Sequence, residues 1–482
     1  MKSRLVLALL LTALCSPLAV AAPPNIVMLL IDDMGWGDFS CFGNREAQTP
    51  NIDRLAAEGI RFSQFYVSSS ICSPSRCGLT TGQYPQRWRL TSFLEYRASN
   101  ERRGMAQWLD PKAPTLARLL HQNGYATGHF GKWHLGGQRD VADAPPITAY
   151  GFDESLTNFE GMGPKLLPLT LKPGDAKPGK IWAEAVNLGG PVTWMQRSEI
   201  TSGYLNRALT FIDRAVQDKK PFYINLWPDD VHSPFWPPVD KFGNGKREMY
   251  LAVLREMDRQ FGKLFDHIRD TPGLRDNTLI LVCSDNGPES GAGSAGPFLG
   301  GKGNLYEGGI RSPLIAWAPG LIDKAKAGSH NETSVFATID VAPSVLSITG
   351  TALPADVVFD GENLAATLLG KAAVSHQAPI CWRRPPDRPT WSRPAKGTEP
   401  CPDLAIRQGD WKLLCAYDGT QPQLYDLAKD RGETTNLAAT QAEVVQSLTE
   451  KVLTWHRSMP PDQGPHLGTE ASKKPGLRPI LR

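Results

Sequence analysis

The chain has 482 residues, of which 41% are hydrophobic and 21% are charged, and its formal net charge is +3. This composition excludes a disordered protein, and so small a net charge argues against nucleic acid as a main partner. A chain of this length exceeds what one hydrophobic core usually supports, so we expect one large domain and one smaller domain.

The first 22 residues have the layout of a cleaved secretory signal peptide. Lys2 and Arg4 precede a short apolar run, and the small residues after it place the expected cleavage after Ala22. The run is too short to span a bilayer comfortably and no second run of that length follows, so we expect no stable membrane insertion. We therefore expect an exported protein, periplasmic or secreted.

The number of cysteines in the mature chain is informative, because cysteines of exported proteins usually pair in disulfides. Of the eight cysteines, Cys15 lies in the signal peptide, so an odd number remains after cleavage. At least one of these thiols then lacks a disulfide partner or is chemically altered.

Three apolar runs predict buried parallel strands: residues 25–33 (NIVMLLIDD), 222–227 (FYINLW) and 278–285 (TLILVCSD). Amphipathic helices are predicted between them, at residues 49–59 and 246–268. The alternation of strands and helices predicts an α/β fold with a mainly parallel sheet.

The pattern changes near residue 365, where we place a boundary between a catalytic domain (23–365) and a C-terminal α+β domain (366–482). The segments LAIRQGDWKLLCAYDG and QLYDLAKD predict short antiparallel strands, and residues 444–455 predict a last helix. The Gly/Pro-rich residues 161–191 are predicted to be a surface loop.

Two of the predicted strands end in oxygen-bearing side chains: Asp32 and Asp33 after the first, Asp285 and Asn286 after the last. Ligands of parallel sheets bind beyond the carboxyl ends of the strands. Three converging carboxylates would repel one another, so this set indicates a hard divalent ion such as calcium or magnesium. The alternative is that these acids only cap turns.

Cys72 lies in the tight, cationic segment CSPSR. Pro74 suits the first turn of a helix, and a helix N-terminus together with Arg76 would favour negative charge at position 72. The alternative is a small buried hydrophobic residue.

The segment CSPSR at 72–76, followed by LTTG at 79–82, resembles the signature of the type I sulfatases, in particular arylsulfatases and N-acetylgalactosamine 6-sulfatases. Further segments match in the family's order: DDMGWGD at 32, TPNIDRLAAEGIRF at 49, GKWHLG at 131, SDNGP at 284, GGKGNLYEGGIRSP at 300 and LYDLAKDRGETTNLA at 424. The resemblance implies sulfate-ester hydrolysis and an alkaline-phosphatase-like sandwich, with a large mainly parallel sheet between helices and a smaller C-terminal antiparallel sheet.

The resemblance also implies a modified residue. In this family a formylglycine-generating enzyme oxidises the cysteine to formylglycine (3-oxoalanine), whose hydrate is the nucleophile, so Cys72 is the expected site. One hydroxyl of the hydrate attacks sulfur and the other later expels sulfate, which divides a difficult step into two. The resemblance further implies that the metal, expected to be calcium with magnesium as the alternative, is held by these residues: Asp32, Asp33, Cys72, Asp285 and Asn286.

The remaining site residues also come from the resemblance. Arg76 matches the arginine that stabilises the hydrated aldehyde, and Lys132 and His134 match the pair that flanks it. Lys302 matches the lysine that grips the sulfate, and His232 the histidine that protonates the leaving alcohol. Lys132, Lys302 and His232 are thus expected to bind substrate as well.

Two local features depart from the family's usual pattern. Cys77 follows Arg76 directly and would either form a disulfide or remain reduced in the core. Asp229 and Asp230 precede His232, where they would raise its pKa or bind a substrate hydroxyl.

The expected substrate is a sulfated carbohydrate or an aryl sulfate. We expect the basic residues 381–401, through Arg383 and Arg384, to bind an anionic glycan at the mouth of the site. The alternative is a solvated surface loop, closed by Cys401 bonding either Cys381 or Cys415. Two other functions stay open: a phosphonate or phosphate ester hydrolase with the same site, and a non-catalytic glycan-binding protein.

Overall fold

The computed structural model describes residues 22–384 and 402–461. The predicted signal peptide, except its last residue, lies outside these residues, and so does Cys401, on which both alternative disulfides depend. Within the described ranges, no helix combines the length and the apolar character that a membrane span requires.

A large, mainly parallel sheet forms the centre of the catalytic domain, as predicted. Its eleven strands within the described residues are β1 (Asn25–Ile31), β2 (Ile60–Tyr66), β3 (Ala126–Gly131), β4 (Glu154–Thr157), β5 (Lys165–Thr170), β6 (Gly179–Lys180), β7 (Val192–Gln196), β8 (Phe222–Trp227), β9 (Thr278–Ser284), β10 (Arg311–Trp317) and β11 (Ser329–Ala337). Their order is β11-β2-β10-β9-β1-β8-β3-β4-β5-β6, and β7 pairs with β5.

The three strands predicted from apolar runs are neighbours at the middle of this sheet. Strand β1 pairs in parallel with β9 on one side and with β8 on the other. In this register Ile31 lies opposite Ser284, so the residues that follow both strands leave the sheet at the same edge. Strand β10 runs antiparallel between β9 and β2.

Helices cover both faces of the sheet. The helices within the described residues are α1 (Pro50–Glu58), α2 (Cys72–Thr81), α3 (Arg97–Arg102), α4 (Leu116–Gln122), α5 (Ile200–Gln217), α6 (Lys246–Asp270), α7 (Glu307–Ile310), α8 (Val341–Ile348), α9 (Ala365–Leu368) and α10 (Ala442–Ser458). Helices α1, α5 and α6 share one hydrophobic core with the face of β1 that carries Val27 and Leu29. Helices α2, α4 and α8 pack on the opposite face.

The C-terminal domain has a four-stranded antiparallel sheet, β12 (Ile380–Arg383), β13 (Leu404–Gln408), β14 (Trp411–Cys415) and β15 (Gln423–Asp426). Its apolar side chains join the core that contains α2. Trp382 also donates a hydrogen bond of 2.7 Å to the backbone oxygen of Val67. The expected antiparallel strands and last helix are thus confirmed, whereas the boundary near residue 365 stays a prediction.

A buried cluster of charged side chains joins the two domains. Lys412 Nζ lies 3.0 Å from Glu307 Oε1 and 2.8 Å from Glu433 Oε1, and all three side chains are fully buried or nearly so. Arg311 pairs with Glu307 at 3.0 Å. Because Glu307 begins α7 in the catalytic domain and Lys412 lies on β14, the cluster fixes one domain against the other.

The prediction of a surface loop at residues 161–191 is wrong in part. Strand β5 lies within this segment and is largely buried, and it extends the large sheet beyond β4. Proline and glycine mask a strand in sequence, yet β5 pairs with β7 over residues 165–169, Pro168 included, and also contacts β4 and β6.

Candidate active site

The ends of β1 and β9 bring the four predicted oxygen ligands together. Asp33 N donates to Asp285 Oδ1 over 3.2 Å, and Asn286 Nδ2 donates to Asp33 Oδ1 over 2.8 Å. Asp33 has a left-handed backbone, with φ of 59°. A non-glycine residue in this conformation is strained, and such strain is concentrated at functional sites.

Three basic side chains balance the three carboxylates. Lys132 Nζ lies 2.7 Å from Asp32, Lys302 Nζ lies 2.6 Å from Asp33, and an Arg76 guanidinium nitrogen lies 2.8 Å from Asp285. Repulsion among the acids is therefore not by itself an argument for a metal ion.

Oxygen atoms without hydrogen-bond donors supply a better argument. Asp32 Oδ1 and Asn286 Oδ1 are buried and accept no hydrogen bond within the described residues, although Arg76 Nη2 lies 3.4 Å from Asp32 Oδ1 as an ion pair. Buried polar atoms normally have partners. Atoms of Asp32, Cys72 and Asp285 that can bind a metal lie within 4.8 Å of one another. The residues therefore fit a hard divalent cation.

Cys72 begins helix α2 and lies buried beside these acids. Burial opposes the thiolate that the helix N-terminus and Arg76 are expected to favour. Burial raises the pKa of the Cys72 thiol to about 12, because it outweighs the attraction of Lys132 and Lys302 while Asp32 and Asp285 raise the pKa further. Burial therefore favours the neutral thiol at Cys72, which is a weaker nucleophile than a thiolate.

Arg76 lies one turn after Cys72 on the same helix and connects several parts of the site. Its Nε donates to Asp285 over 3.0 Å, and its Nη1 donates to the backbone oxygen of Lys132 over 2.7 Å. The guanidinium also lies over the ring of Trp227. The Arg76 guanidinium is fully buried, and a buried charge must keep its partners. These contacts therefore hold the Arg76 side chain in one position.

Lys132 and His134 come from the end of β3 and share a partner that sequence reasoning missed. Glu160 Oε2 lies 3.2 Å from Lys132 Nζ and 3.3 Å from His134 Nδ1, and all three side chains are buried. The backbone N–H of His134 also donates to the backbone oxygen of Glu160 over 2.8 Å. Glu160 follows β4, and the four residues of that strand have no strong apolar pattern, so nothing in the sequence indicated a strand end there.

His232 and Lys302 are the more exposed members of the site. His232 Nε2 lies 3.6 Å from Asp33 Oδ2, and its Nδ1 lies 2.8 Å from the backbone oxygen of Ser233. A carbonyl oxygen only accepts, so Nδ1 carries a proton. The His232 side chain is 25% exposed and that of Lys302 12% exposed, against 1% for Lys132.

Asp229 and Asp230, which precede Val231 and His232, are engaged by other side chains of the protein. Asp229 accepts hydrogen bonds from Arg197 Nη1 at 2.7 Å and Asn158 Nδ2 at 2.8 Å, and Asp230 accepts one from Thr201 at 2.6 Å. Both are buried, so they fix the turn that carries His232 and do not bind a substrate hydroxyl.

Cys77, which departs from the family's usual pattern, lies in the hydrophobic core. Its side chain is fully buried and forms no disulfide with another cysteine of the described residues.

The structure contradicts the expected role of Arg383 and Arg384 in substrate binding. Both are buried in the C-terminal domain. Arg383 donates to the backbone oxygens of Pro460 and His456 over 2.9 and 3.1 Å, and Arg384 pairs with Asp403 at 3.0 Å. A buried guanidinium must keep such partners, so these arginines stabilise the domain. Residues 385–401 of the predicted loop lie outside the described residues.

Two family models cover the chain. The sulfatase model matches residues 24–351, and the model of the C-terminal region of N-sulphoglucosamine sulphohydrolase matches residues 299–458.

Known proteins agree with these models. Human arylsulfatase A is 31% identical over 478 residues, with 92% of this chain and 89% of the relative covered. Human N-acetylgalactosamine-6-sulfatase is 35% identical over 360 residues, which cover 72% of this chain and 66% of that relative's length. The crystal structure of Ps i-CgsB in complex with k-i-k-neocarrahexaose superposes with a TM-score of 0.74 at 27% identity, covering 90% of this chain and 92% of that one. The chain belongs to the sulfatase family and is a sulfuric ester hydrolase.

Proposed function

We propose that this sulfatase removes sulfate from a sulfated carbohydrate, with Cys72 converted to formylglycine and calcium as the metal. The observation that carries the proposal is the position of Cys72, whose metal-binding atom lies within 4.8 Å of those of Asp32 and Asp285. Lys132 and Lys302 both act electrostatically on the same residue. A nucleophile at position 72 would therefore attack in a field that favours developing negative charge.

The relatives support a carbohydrate substrate. One is named for a sulfate on N-acetylgalactosamine, and the crystal structure of Ps i-CgsB holds an oligosaccharide. An aryl sulfate is the expected artificial substrate, since arylsulfatase A shares 31% identity over most of the chain.

The modified residue supplies what the thiol of Cys72 lacks: a hydrated aldehyde offers one hydroxyl as nucleophile and a second whose deprotonation releases sulfate. Divalent calcium would supply positive charge near the sulfuryl oxygens. We infer calcium because three carboxylates and an amide oxygen form a set rich in protein ligands, whereas magnesium usually keeps several waters.

The two lysines bind the sulfate group in this proposal. Burial lowers the pKa of Lys132, but the carboxylates of Asp32 and Glu160 outweigh it and hold this pKa well above its usual value; Asp33 and Asp32 raise the pKa of Lys302 in the same way. In this proposal both side chains bind as charged ammonium groups. They balance the negative charge that spreads over the sulfuryl oxygens in the transition state.

His232 protonates the leaving alcohol. Its Nδ1 is held by the Ser233 carbonyl, so Nε2 is the nitrogen directed towards Asp33 and the rest of the site. An imidazolium with its second proton on Nε2 can give that proton to the leaving oxygen. Arg76 has no exposed surface, and its role is to keep Asp285 and the end of β3 in place.

The test is sulfate release. Protein co-expressed with a formylglycine-generating enzyme should release sulfate from an aryl sulfate and from at least one member of a panel of sulfated mono- and oligosaccharides. The Cys72→Ala variant, which cannot form the aldehyde, is the matched control and should be inactive. Release of phosphate from aryl phosphate at a higher rate than sulfate from aryl sulfate would contradict the proposal.

Export to the periplasm or the medium is also our proposal and comes from the sequence of residues 1–22. Cell fractionation with N-terminal sequencing tests it, and a mature protein that begins at Met1 in the cytoplasm would contradict it.

A further inference from the structure

Arg139 lies beside the active site and has no part in the mechanism above. It is 25% exposed, as much as His232 and more than any other basic group of the site. Arg139 Nη2 lies 3.8 Å from Glu160 Oε1, and Glu160 Oε2 lies 3.2 Å from Lys132 Nζ. A single carboxylate, that of Glu160, therefore lies between the guanidinium and Lys132.

Among the residues that the structure describes, the Arg139 guanidinium donates no hydrogen bond. Its two ion pairs within the described residues, with Glu160 and Glu184, both measure 3.8 Å, and this distance is too long for a hydrogen bond. The Glu184 side chain is 53% exposed, and an ion pair this open to water contributes little. A guanidinium has five N–H donors, so Arg139 keeps its capacity to bind a ligand.

The guanidinium is nevertheless held in place. It lies over the ring of Phe159, 5.4 Å from the ring centre, and Arg139 has a left-handed backbone with φ of 54°. A strained backbone conformation at a non-glycine residue near an active site suggests a functional role. Preorganisation lowers the entropy that a ligand must lose on binding.

An aromatic wall connects Arg139 with the turn that carries His232. Phe159 stacks on Trp182 with ring centres 4.0 Å apart, and Arg197 lies over the same indole. Arg197 in turn pairs with Asp229 at 2.7 Å. Arg139 and His232 both act electrostatically on Glu160, so both lie near this carboxylate. Because Phe159 and Arg197 already pack against the Trp182 ring, we expect recognition there to depend on charge.

We propose that Arg139 forms a second oxyanion-binding subsite, which takes a carboxylate or a further sulfate on the substrate beside the ester that is cleaved. The inference rests on the proposed function, since it concerns the substrate of the same site. A guanidinium binds either group through two parallel hydrogen bonds. The bound group replaces the exposed Glu184 as the partner of Arg139, while the buried Glu160 stays with Lys132 and His134.

Inhibition of aryl sulfate hydrolysis tests the subsite whether or not a saccharide is itself cleaved. The probes are N-acetylgalactosamine 6-sulfate, its 4,6-disulfate, and the 6-sulfate linked to glucuronic acid, and the readout is the inhibition constant of each against p-nitrophenyl sulfate. The wild type should bind the disulfate or the uronate about tenfold or more tightly than the monosulfate, as expected for charge-assisted hydrogen bonds. Tighter binding of the disulfate would identify a second sulfate as the ligand of Arg139, and tighter binding of the glucuronic acid conjugate would identify a carboxylate.

Variants assign the preference to Arg139. Arg139→Gln should abolish it and Arg139→Lys should restore part of it, because lysine keeps the charge without the planar fork. Glu184→Gln, which removes the competing carboxylate, should strengthen it. Arg207→Gln is the matched control, since Arg207 is an exposed partner of Glu154 at the opposite end of β4.

Three outcomes would decide against the subsite. A wild type without preference, or an Arg139→Gln variant that keeps it, would overturn the inference while aryl sulfate hydrolysis leaves the proposed function standing. A protein with formylglycine at position 72 that hydrolyses no sulfate ester would overturn the proposed function and the inference with it.

Discussion

Glu160 Oε2 lies 3.3 Å from His134 Nδ1, while Nε2 of the same ring lies 3.0 Å from the backbone oxygen of Leu94. Both nitrogens thus face atoms that accept hydrogen bonds. Burial lowers the pKa of the His134 imidazole. The contact between its Nδ1 and the Glu160 carboxylate has the opposite effect and favours a proton on Nδ1. The pKa of Glu160 is lowered to about 2, because His134, Lys132 and Arg139 outweigh burial, so the carboxylate is ionised. Glu160 therefore positions two residues proposed for catalysis.

Replacing Glu160 should impair catalytic turnover, measured as kcat. We expect Glu160→Gln to lower kcat about tenfold or more, because the orientation and protonation of His134 and Lys132 are disturbed. The change should appear mainly in kcat and should alter the pH profile of kcat, which a purely structural role would not do. Glu154→Gln, at the far end of β4, is the control, and equal kcat for both variants would contradict the role.

The loss of activity on replacing His232 should depend on whether the leaving group needs a proton. His232→Gln should lower the hydrolysis of a sugar sulfate about 10²–10⁴-fold, the usual contribution of a general acid. The loss on p-nitrophenyl sulfate should be much smaller, because a nitrophenolate leaves without protonation. Steady-state kinetics on both substrates measure the difference. Equal losses on the two substrates would show that His232 acts in another way.

Metal removal should lower both activity and thermal stability. Dialysis against a chelator should abolish sulfate release and reduce Tm, since a ligand bound only to the folded state stabilises it. Calcium should restore both. Asp285→Asn should make Tm insensitive to calcium, whereas the exposed Asp266→Asn should behave as the wild type. A wild-type Tm that ignores both chelator and calcium would argue against a bound metal.

The buried cluster between the domains should be sensitive to loss of its lysine. Lys412→Met leaves Glu307 and Glu433 without their shared cation, and breaking a buried ion pair typically costs about 3–5 kcal/mol. Chemical denaturation should show this loss in the free energy of unfolding. The exposed Lys451→Met is the control, and a loss below about 1 kcal/mol for Lys412→Met would contradict the assignment.

His376 should make stability decrease with rising pH. Its pKa is raised because the hydrogen bond and charge of Asp340, 2.8 Å away, outweigh burial. A histidine whose pKa is higher in the folded state stabilises the fold fully below the unfolded pKa of about 6.5. This stabilisation is lost as the pH rises through the raised folded pKa.

Denaturant unfolding on both sides of that range measures the effect. Between pH 6 and pH 8.5, the wild type should lose more free energy of unfolding than His376→Gln does. Other titrating groups contribute to both proteins and cancel in the difference. The same loss in both proteins would exclude His376 as the source.

Strong local patterns made the centre of the fold predictable. The apolar runs at β1, β8 and β9 each signal a buried strand, and their terminal acids meet because parallel neighbours end at one edge of the sheet. The motif around Cys72 likewise predicts a helix and places Arg76 one turn later.

Residues outside such patterns were not predictable. Glu160 and Arg139 reach the site from loops after β4 and β3, where no apolar period marks the strand end. The arginine-rich sequence at Arg383 and Arg384 indicated an exposed patch, but tertiary packing supplied partners for both and buried them. Composition alone does not distinguish a solvated arginine from a buried, paired one.

Mass spectrometry of the peptide that contains position 72 tests the central proposal most directly. Active protein, purified after co-expression with a formylglycine-generating enzyme, should carry an aldehyde at this position, and the sulfate-releasing activity should rise in proportion to the modified fraction. Full activity in a preparation whose Cys72 is entirely an unmodified thiol would contradict the proposal.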